Sequence, residues 1–413
     1  MKVWILQTGE PLQIDTNGLR PMRAINLSNL LIEKGHEVVI WSSDFDHFSK
    51  IHRYGYYKQI NYSQKLQINL IPSRGYKSHI GLSRLIDHAQ LGINLWKLLR
   101  TEVPPDVAFI GYPPIETAWV MSAWLRRRKV PSMLDVKDAW PEVLLRAFPL
   151  RARFIGRFLL LPYFILARKT FKNVGSISAP TQNFLDWCLK KSLRKANNYD
   201  IIAPLTSPDQ KFSDSEIIKA GRWLDDQGIY DDKTLRISFI GTMNSAFDFD
   251  PIIDAAKRTN AQFIIAGDGP QSEKVREKTS EIKNVIMPGW ITSVQAQVLS
   301  KRSSMLIAPF NNFSDFNMSL TNKFYDAMAN SRGMLTSISG SAGEFIVENN
   351  IGLKYSNSDT NSLVDIISNL TSNDDVIKIM SANARKLYED KFLYIKVYSS
   401  LVINLEVLAN NEN

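Results

Sequence analysis

Short runs of apolar residues alternate along the chain with stretches in which apolar positions recur every three or four residues. The runs have the length of buried strands, and the periodic stretches have the length of amphipathic helices. Such alternation predicts parallel sheets with helices packed on their faces. Strands are expected at 3–6, 37–41, 67–71, 105–110, 132–136, 176–179, 236–241, 262–267, 284–287, 304–308 and 334–337, and helices between them at positions that include 19–34, 83–100 and 116–127.

The pattern also predicts two α/β domains. A polar, charged stretch leads into a linker near 201–209, and a new series of buried strands starts at Arg236. The length of 413 residues is enough for two or three domains. We therefore place a first domain at 1–200 and a second at 201–385.

Charge separates the two halves. Residues 1–200 contain 29 Lys and Arg against 15 Asp and Glu, whereas residues 201–413 contain 21 against 26. The single Cys188 excludes a disulfide framework and fits a reducing cytosol. No secretory signal is visible, and no run of about 18 uncharged apolar residues is present to span a membrane. A basic half and an acidic half indicate domains that face different partners.

One segment of the second half predicts an anion site. Ser319, Thr321 and Asn322 are good helix N-caps, and Asp326 lies one helical turn after Asn322. A helix N-terminus with free N–H groups suits a diphosphate, and a nearby carboxylate can accept hydrogen bonds from a ribose diol. An ordinary capped helix with one solvated aspartate is the alternative.

The surrounding sequence resembles the donor-binding core of GT-B glycosyltransferases, specifically the large retaining family 4. Leu306–Pro309 resembles the strand that ends in proline, and Asn322–Ala329 followed by Gly333 resembles the N-K-x-x-E-x-M-A-x-G helix. Gly340–Glu344 resembles the G-G-x-x-E loop. Asp326 stands where the family usually has the ribose-binding Glu, and Met318 replaces the Glu that contacts the sugar, so that sugar contact is not expected here.

The resemblance covers roughly residues 235–355 and implies the rest of a donor site. It implies a GT-B fold, in which two Rossmann-like domains with parallel sheets face a central cleft and a C-terminal helix, here 386–413, crosses back to the first domain. Many family members carry an Arg and a Lys after the first strand of this domain, where this chain has only neutral donors, so Lys323 is expected to supply charge and act in catalysis. The donor-binding residues are expected to be Gly18, Gly241, Thr242, Asn244, Gly267, Gly289, Trp290, Ser319, Thr321, Asn322, Asp326 and Glu344.

For several of these residues the alternative is a plain structural role. Trp290 is as consistent with core packing as with stacking on a base. Lys323 is as consistent with a solvated surface lysine. A glycine after a strand is also common in ordinary βα turns.

The first half has its own candidates. The loop 7–18, followed by Arg20 and Arg23, resembles the G-E-P…G-x-x-R-x-x-R opening of family 4 enzymes from bacterial surface-polysaccharide clusters. For Arg23 a basic helix start is the favoured interpretation. Asp135–Glu142 resembles the D-x-R-D-x-W-P-E motif of the same group, and Asp138 is expected to contact the reacting sugar or the acceptor. Capping of the following helix is the alternative role for Asp138.

Residues 143–172 carry seven basic residues and no acid, with aromatic and leucine side chains between the charges. This composition suits an anionic bilayer surface. A core helix with basic ends is the alternative, and Pro162 argues against a spanning helix. The membrane-facing residues are expected to include Arg151, Arg153, Arg157, Phe158, Arg168 and Lys169.

Together these features predict a cytoplasmic, retaining glycosyltransferase, peripheral on the inner face of the plasma membrane. Its donor would be a nucleotide-diphosphate sugar, with UDP-sugar as the first choice. Its acceptor would be a growing, lipid-linked oligosaccharide, and the partners considered are an oligosaccharide or a polyprenyl-linked acceptor. No metal or other cofactor is expected; Asp248 and Asp250 form a D-x-D that we interpret as a helix start. Two alternatives remain, a GT-B sugar-nucleotide epimerase and, because the isoelectric point is near 9.3, a nucleic-acid-binding protein, although the basic residues flank apolar side chains and no nucleic acid is expected as partner.

Overall fold

A computed structural model describes residues 1–15, 20–77, 81–206, 208–311, 318–357 and 359–410. The chain divides into two compact units. Unit 1 comprises Met1–Ser207 and Tyr394–Asn413, and unit 2 comprises Pro208–Leu393. The unit boundaries thus lie between residues 207 and 208 and between residues 393 and 394. The boundaries predicted from the sequence were slightly earlier, after residues 200 and 385.

Unit 1 contains an eight-stranded sheet in the order β3-β4-β2-β1-β5-β6-β7-β8. All neighbouring pairs are parallel except β3 and β4. The apolar pattern did not predict β3, because this edge strand is mostly exposed and polar. The strands are β1 (Lys2–Leu6), β2 (Glu37–Ser43), β3 (Lys58–Ser63), β4 (Leu66–Ile71), β5 (Val107–Tyr112), β6 (Ser132–Val136), β7 (Ser176–Ala179) and β8 (Ile201–Ile202).

Helices connect these strands, so that most strands point the same way. Two 3-10 turns, Glu142–Ala147 and Leu150–Ala152, follow β6. The helix between β5 and β6, α3 (Ile115–Arg127), packs against α2 (Leu82–Leu99) and α5 (Leu161–Asn173) and is buried along most of its length. The helices are α1 (Arg23–Glu33), α2 (Leu82–Leu99), α3 (Ile115–Arg127), α4 (Arg153–Leu159), α5 (Leu161–Asn173) and α6 (Gln182–Ser192).

Unit 2 is built on a six-stranded parallel sheet in the order β11-β10-β9-β12-β13-β14. The strands are β9 (Arg236–Ile240), β10 (Gln262–Ala266), β11 (Val285–Gly289), β12 (Met305–Ala308), β13 (Gly333–Thr336) and β14 (Gly352–Lys354). The helices are α7 (Asp214–Asp226), α8 (Asp250–Arg258), α9 (Ser272–Thr279), α10 (Ser293–Arg302), α11 (Asn322–Ala329), α12 (Gly340–Glu348), α13 (Thr360–Ser372) and α14 (Asp374–Leu387). Asp250 begins α8, in agreement with the interpretation of the D-x-D pattern as a helix start.

A last helix, α15 (Tyr394–Asn410), belongs to unit 1 and packs against α1 and β5. Its residues Val397, Leu401, Leu405 and Leu408 are buried in the core beneath the sheet. The helical segment Asp374–Asn410 is long and apolar enough to cross a membrane by length and composition, with a mean hydropathy of 1.5 over 18 residues. This hydropathy criterion allows a few charged residues, whereas the sequence analysis searched for a run without any charge. Core helices of soluble proteins meet the hydropathy criterion as well.

Candidate functional site

The strand order of unit 2 reverses between β9 and β12. In an open parallel sheet, such a reversal leaves a crevice at the carboxyl ends of the two strands, where ligands bind. Gly241 directly follows β9, and α11 follows β12 in the chain. The predicted glycine turn and the predicted anion-binding helix therefore belong to the two strands that border this crevice.

Two glycines at this edge are required by the close approach of the backbone. Gly241 has φ +142° and Gly267 has φ +130°, a region that L side chains rarely adopt. A Cβ on Gly267 would overlap the carbonyl oxygen of Gly241, and a Cβ on Gly241 would overlap Nζ of Lys323. The turns after β9 and β10 therefore pack directly on each other, and a side chain at either position would displace the lysine or the backbone.

Lys323 reaches from the first turn of α11 to the end of β9. Its ammonium group donates a hydrogen bond to the carbonyl of Ile240 and lies 4.1 Å from the ring centre of Phe239 and 5.0 Å from that of Phe247. Desolvation lowers the pKa of Lys323 to about 8, although the charge of Asp326 acts in the opposite direction. The alternative of a solvated surface lysine is therefore wrong: this lysine is a desolvated cation beside Gly241.

Among the described residues, the N-terminus of α11 has hydrogen-bonding groups without a partner. Thr321 occupies the N-cap position, but no described side chain caps the helix there. The hydroxyl of Thr321 is buried and has no hydrogen-bond partner among the described residues. Ser319 is also buried, whereas Asn322 is exposed. Backbone N–H groups and a buried hydroxyl thus remain for an anionic ligand beside Lys323.

The loop after β9 is held by an amide that the sequence analysis missed. The side-chain amide of Gln271 donates to the carbonyls of Asn244 and Phe247, the latter at 3.2 Å. The amide oxygen of Asn244 accepts from the backbone N–H of Ala246 at 2.9 Å, while Thr242 is exposed. Asn244 therefore shapes the loop with its oxygen. Nothing in the sequence around Gln271, which directly follows the G-D-G-P turn, indicates that its side chain would hold this loop.

Three further expectations have different outcomes. Trp290 follows Gly289 at the end of β11 and is 70% exposed, so core packing is wrong for this side chain. Gly340–Glu344 is the beginning of α12 and not a loop, because the chain turns at Gly340 with φ +64° and continues as a helix. Glu344 is exposed on that helix, one turn from its start. Gly18 lies outside the described residues.

In unit 1, the two segments that resembled family motifs are joined by buried charges. Lys137 forms an ion pair with Glu10 and lies 3.8 Å from Asp135. Arg23 lies 3.4 Å from Asp135 and donates to the carbonyl of Ala203 at 2.7 Å. Arg23 is 3% exposed, so it is neither a solvated helix start nor placed to meet a phosphate. These residues hold the loop after β1, helix α1 and the end of β6 together.

Asp138 follows this network and has an exposed side chain. Although the side chain reaches the surface, the protein around it raises the pKa of Asp138 by desolvation, and the charges of Lys137, Arg84 and Arg146 offset only part of this rise. No described side chain caps the 3-10 turn at Glu142–Ala147, so the capping role is wrong for Asp138. Its carboxylate therefore lies among cations at the carboxyl edge of the sheet.

A buried acid next to this edge was not anticipated. Burial raises the pKa of Glu116, in the first turn of α3, to about 7. The ring Nδ1 of His88 lies 3.9 Å from its carboxylate, and desolvation lowers the pKa of His88 to about 3. The imidazole is therefore neutral, and this contact is not a salt bridge at physiological pH. The pattern of apolar and polar residues could not predict this pair, because His88 and Glu116 lie on different helices, α2 and α3, that meet only in the folded protein.

Residues 143–172 form the two 3-10 turns with α4 and α5, and many of their apolar side chains point to solvent. The side chains of Arg151, Arg153, Arg157, Arg168 and Lys169 are exposed. The exposed apolar side chains include Leu150 (77%), Phe154 (72%), Ile155, Phe158 (76%), Leu159, Leu161 and Ile165. The alternative of a core helix with basic ends is wrong for α4, in which only Gly156 is buried.

The described residues contain no group of three or more His, Cys, Asp or Glu side chains that could hold a metal ion.

The comparison with protein families finds a match within the second unit. Residues 235–373 match the family model of glycosyl transferases group 1. This part of the chain is similar to glycosyl transferases group 1. It contains the switch point, which is the reversal of strand order between β9 and β12, as well as both glycine turns, Lys323 and Asp326. No curated protein sequence is significantly similar to the chain.

Solved structures show that the whole chain has the GT-B fold. It is similar to sucrose-phosphate synthase from Thermosynechococcus elongatus, with a TM-score of 0.69, 12% identity and 98% coverage of each chain. It is also similar to HepE of Anabaena in complex with UDP and glucose, with a TM-score of 0.68 and 12% identity over 98% of this chain and 100% of that one. WaaG, a glycosyltransferase involved in lipopolysaccharide biosynthesis, gives a TM-score of 0.63 and 14% identity over 98% and 99%. The two predicted parallel-sheet α/β domains are confirmed.

Proposed function

We propose that this protein is a retaining glycosyltransferase of family 4, which transfers a sugar from a UDP-sugar to a lipid-linked oligosaccharide in the synthesis of a surface polysaccharide. The observation that carries the proposal is the site at the switch point of unit 2. There, a desolvated lysine, a helix N-terminus that no described side chain caps and two close-packed glycine turns meet. Each of these suits the diphosphate of a nucleotide sugar. The UDP bound in the HepE structure supports uridine as the base.

In the proposed donor complex, the α11 amides and Lys323 contact the diphosphate. Asp326 accepts hydrogen bonds from the ribose, and Trp290 stacks on the base. Gly241 and Gly267 allow the backbone to approach the ligand closely. Because the Arg and Lys usual in this family are absent, Lys323 is the basic side chain of the site that meets the phosphates.

The chemistry transfers a glycosyl group between two oxygens. The bond from the anomeric carbon to the diphosphate oxygen breaks, and a bond from the same carbon to an acceptor hydroxyl forms on the same face of the sugar. The hydroxyl proton passes to the departing diphosphate, whose growing charge is stabilised by Lys323 and the helix amides. The scheme requires no metal. Asp138 is proposed to bind the acceptor or the reacting sugar through its carboxylate.

The proposed acceptor and the proposed location at the inner membrane surface rest on unit 1. Helices α2 to α5, which the structure describes completely, contain only two acids, Asp87 and Glu116, and both are buried. The same helices expose basic side chains together with the apolar side chains of α4 and α5. Basic residues around exposed apolar side chains favour an anionic bilayer surface.

Helix α2 extends this surface. Leu82, Ile86, Ile93 and Trp96 are each at least half exposed and recur at helical spacing along one side of α2. The guanidinium of Arg100 lies 5.3 Å from the Trp96 ring, a combination that suits the headgroup level of a bilayer. Since α3 packs between α2 and α5, the exposed apolar side chains of α2 and those of α5 belong to the same helical layer.

Three measurements test the proposed activity. Calorimetry should show that UDP binds more tightly than ADP or GDP, and proton NMR of the product should show the anomeric configuration of the donor. An inverted product would contradict the assignment to family 4. Incubation with a UDP-sugar alone also separates the rival enzyme class, because an epimerase would convert the donor sugar without any acceptor.

A further inference from the structure

Arg23, the first residue of α1, contacts three segments that lie far apart in the sequence. Its guanidinium lies 3.4 Å from the carboxylate of Asp135 near the end of β6. It donates hydrogen bonds to the carbonyls of Ala203 at 2.7 Å and Pro204 at 3.3 Å, in the linker after β8. Its carbon Cζ also lies 5.4 Å from the ring centre of Tyr398 in α15. One buried side chain therefore joins the sheet, the linker and the last helix.

Both connections between the two units pass close to this side chain. The chain leaves unit 1 after residue 207 and returns to it at residue 394. The hydroxyl of Tyr398 donates to the carbonyl of Thr206 at 3.4 Å, just before the first connection. After the second connection, the hydroxyl of Tyr394 donates to the carbonyl of Asn26 at 2.9 Å, and the amide of Asn26 donates to the Tyr398 hydroxyl at 3.4 Å. Since Asn26 lies one turn after Arg23, the start of α1 holds both connections.

The start of α1 is also fastened to the carboxyl edge of the unit 1 sheet. One carboxylate oxygen of Glu10 accepts the backbone N–H of Ala24 at 2.8 Å, and the other oxygen forms the ion pair with Lys137. A single oxygen of Asp135 lies 3.4 Å from the guanidinium of Arg23 and 3.8 Å from the ammonium of Lys137. Two carboxylates and two cations thus connect the loop after β1, the end of β6 and α1.

One member of this charge network reaches the surface. The side chains of Glu10, Arg23 and Asp135 are at most 4% exposed, whereas that of Lys137 is 16% exposed. Lys137 directly precedes Asp138, which is proposed to bind the acceptor or the reacting sugar. The charges of the network balance, so displacement of Lys137 leaves buried carboxylates without full compensation. A displacement at the surface therefore changes the forces on the start of α1 and on the linker that it holds.

We propose that Arg23 is a positioning residue, which keeps the edge that carries Lys137 and Asp138 in one fixed arrangement with both connections to unit 2, so that a displacement at Lys137 reaches the connections. The inference rests on the proposed function, because Asp138 receives its role at this edge from that proposal. Arginine suits the role, since its planar guanidinium serves the Asp135 carboxylate and two linker carbonyls at the same time, whereas a lysine ammonium cannot match this geometry.

Hydrogen–deuterium exchange of the full-length protein tests the coupling, with peptides that contain residues 203–206 and 394–400 as the readout. Lys137→Gln should speed exchange in both peptides at least threefold, and so should Arg23→Lys. Adding Lys137→Gln to Arg23→Lys should change exchange less than twofold further, because the path from the edge to the connections is already interrupted. A double variant that shows the product of the two single effects would overturn the coupling.

Arg53→Lys is the matched control. Arg53 is also a largely buried arginine of unit 1, and it donates two hydrogen bonds of 2.6 Å to Asp15 and one of 3.0 Å to the carbonyl of Ser43. None of these bonds leads to either connection, so exchange there should stay at the wild-type rate. Equal acceleration by Arg53→Lys and Arg23→Lys would indicate a general loosening of unit 1 and would overturn the role of Arg23.

A kinetic measurement separates positioning from a merely structural role. The substrate is the UDP-sugar that the wild-type protein consumes fastest in a panel, and release of UDP is followed. Arg23→Lys should lower kcat at least tenfold and leave the KM for the donor and the affinity for UDP within twofold, because most of the proposed donor contacts belong to unit 2. A wild-type kcat in Arg23→Lys would overturn the proposal.

A milder variant, Tyr398→Phe, guards against a folding defect in Arg23→Lys. It keeps the buried ring and removes only the hydroxyl that bonds Thr206 and Asn26. Exchange at both connections should rise and kcat should fall, and wild-type values of both in a folded Tyr398→Phe would contradict the inference. Failure of the wild-type protein to bind UDP would contradict the proposed function separately, because the exchange result does not depend on the donor.

Discussion

The carboxyl edges of the two sheets present different chemical groups. In unit 2, strands β9, β10 and β11 end at or directly before glycines, and Lys323 is the desolvated cation at the switch point. In unit 1, the corresponding edge carries charged and aromatic side chains, including Glu10, Lys137 and Trp140. Glycine turns thus characterise one edge, and charged and aromatic side chains characterise the other.

The difference also extends to the surfaces around the two edges. Unit 1 exposes basic and apolar side chains on α4 and α5, whereas the second half of the chain is acidic. Substitutions in unit 2 should therefore act mainly through backbone geometry and donor affinity. Substitutions in unit 1 should act through charge and hydrophobic contact. Four experiments challenge this distinction.

The largest effect is expected from Gly267→Ala in unit 2. The new Cβ would overlap the carbonyl of Gly241, and the backbone at φ +130° is strained for alanine. Strain and overpacking together should cost roughly 3–5 kcal/mol of stability. Thermal unfolding measures this cost. Gly289→Ala is the control, with a positive φ of +79° but no described atom within 4 Å of the new methyl group, and equal effects of the two would contradict the close packing of the turns.

The next effect concerns the surface of unit 1. Reversal of Arg151, Arg153 and Arg157 to Glu should reduce binding to vesicles of anionic lipid roughly a hundredfold, because each basic residue near the surface contributes about 1 kcal/mol. Raising the salt concentration should also weaken the binding of the wild-type protein to these vesicles. Sedimentation with neutral and anionic liposomes provides the measurement.

The matched control for this triple reversal is Lys257, Lys274 and Lys283 to Glu, which changes the net charge equally on exposed positions of unit 2. The control should bind vesicles nearly as well as the wild type. Similar losses in the two triple variants would mean that net charge alone drives binding, and the special role of α4 would be lost.

A smaller effect is expected for Asp326→Ala. Removal of the carboxylate leaves the ribose hydroxyls without an acceptor, which should weaken UDP binding by roughly 1–3 kcal/mol. Asp326→Glu, which restores the acid usual in the resembled family, should bind UDP at least as well as the wild type. Calorimetry measures all three proteins, with Asp254→Ala in the exposed ion pair of α8 as the control. Unchanged affinity in Asp326→Ala would remove this carboxylate from the site.

The smallest effect is a pH dependence of donor binding. The pKa of Lys323 is lowered to about 8, so the ammonium form that attracts a diphosphate is lost as the pH rises above 8. UDP affinity should fall by about tenfold between pH 8 and pH 9.5. Binding should take up a proton in this range, which calorimetry in buffers of different ionisation enthalpy detects. Lys323→Met should bind weakly at every pH, and a wild-type slope in that variant would place the titrating group elsewhere.

The sequence alone determined much of unit 2. Its buried parallel strands are continuous apolar runs, so their limits follow from hydrophobicity, as with β10 and β12. The glycine turns and the helix at Asn322 also carry local signals, because positive φ and helix N-termini restrict residue type. The residues of the proposed donor site therefore lie in segments whose local structure was largely predictable from residues close together in the chain.

Tertiary structure decided what local patterns could not. The amphipathic α1 was visible, but whether Arg23 meets solvent or Asp135 depended on the packing of β6 and α15 around it. The lowered pKa values of Lys323 and Lys50 likewise depend on desolvation by the fold and, for Lys50, on the charge of Arg84 from a distant segment. Periodicity records which side of an element faces the core, whereas these properties depend on which other elements lie there.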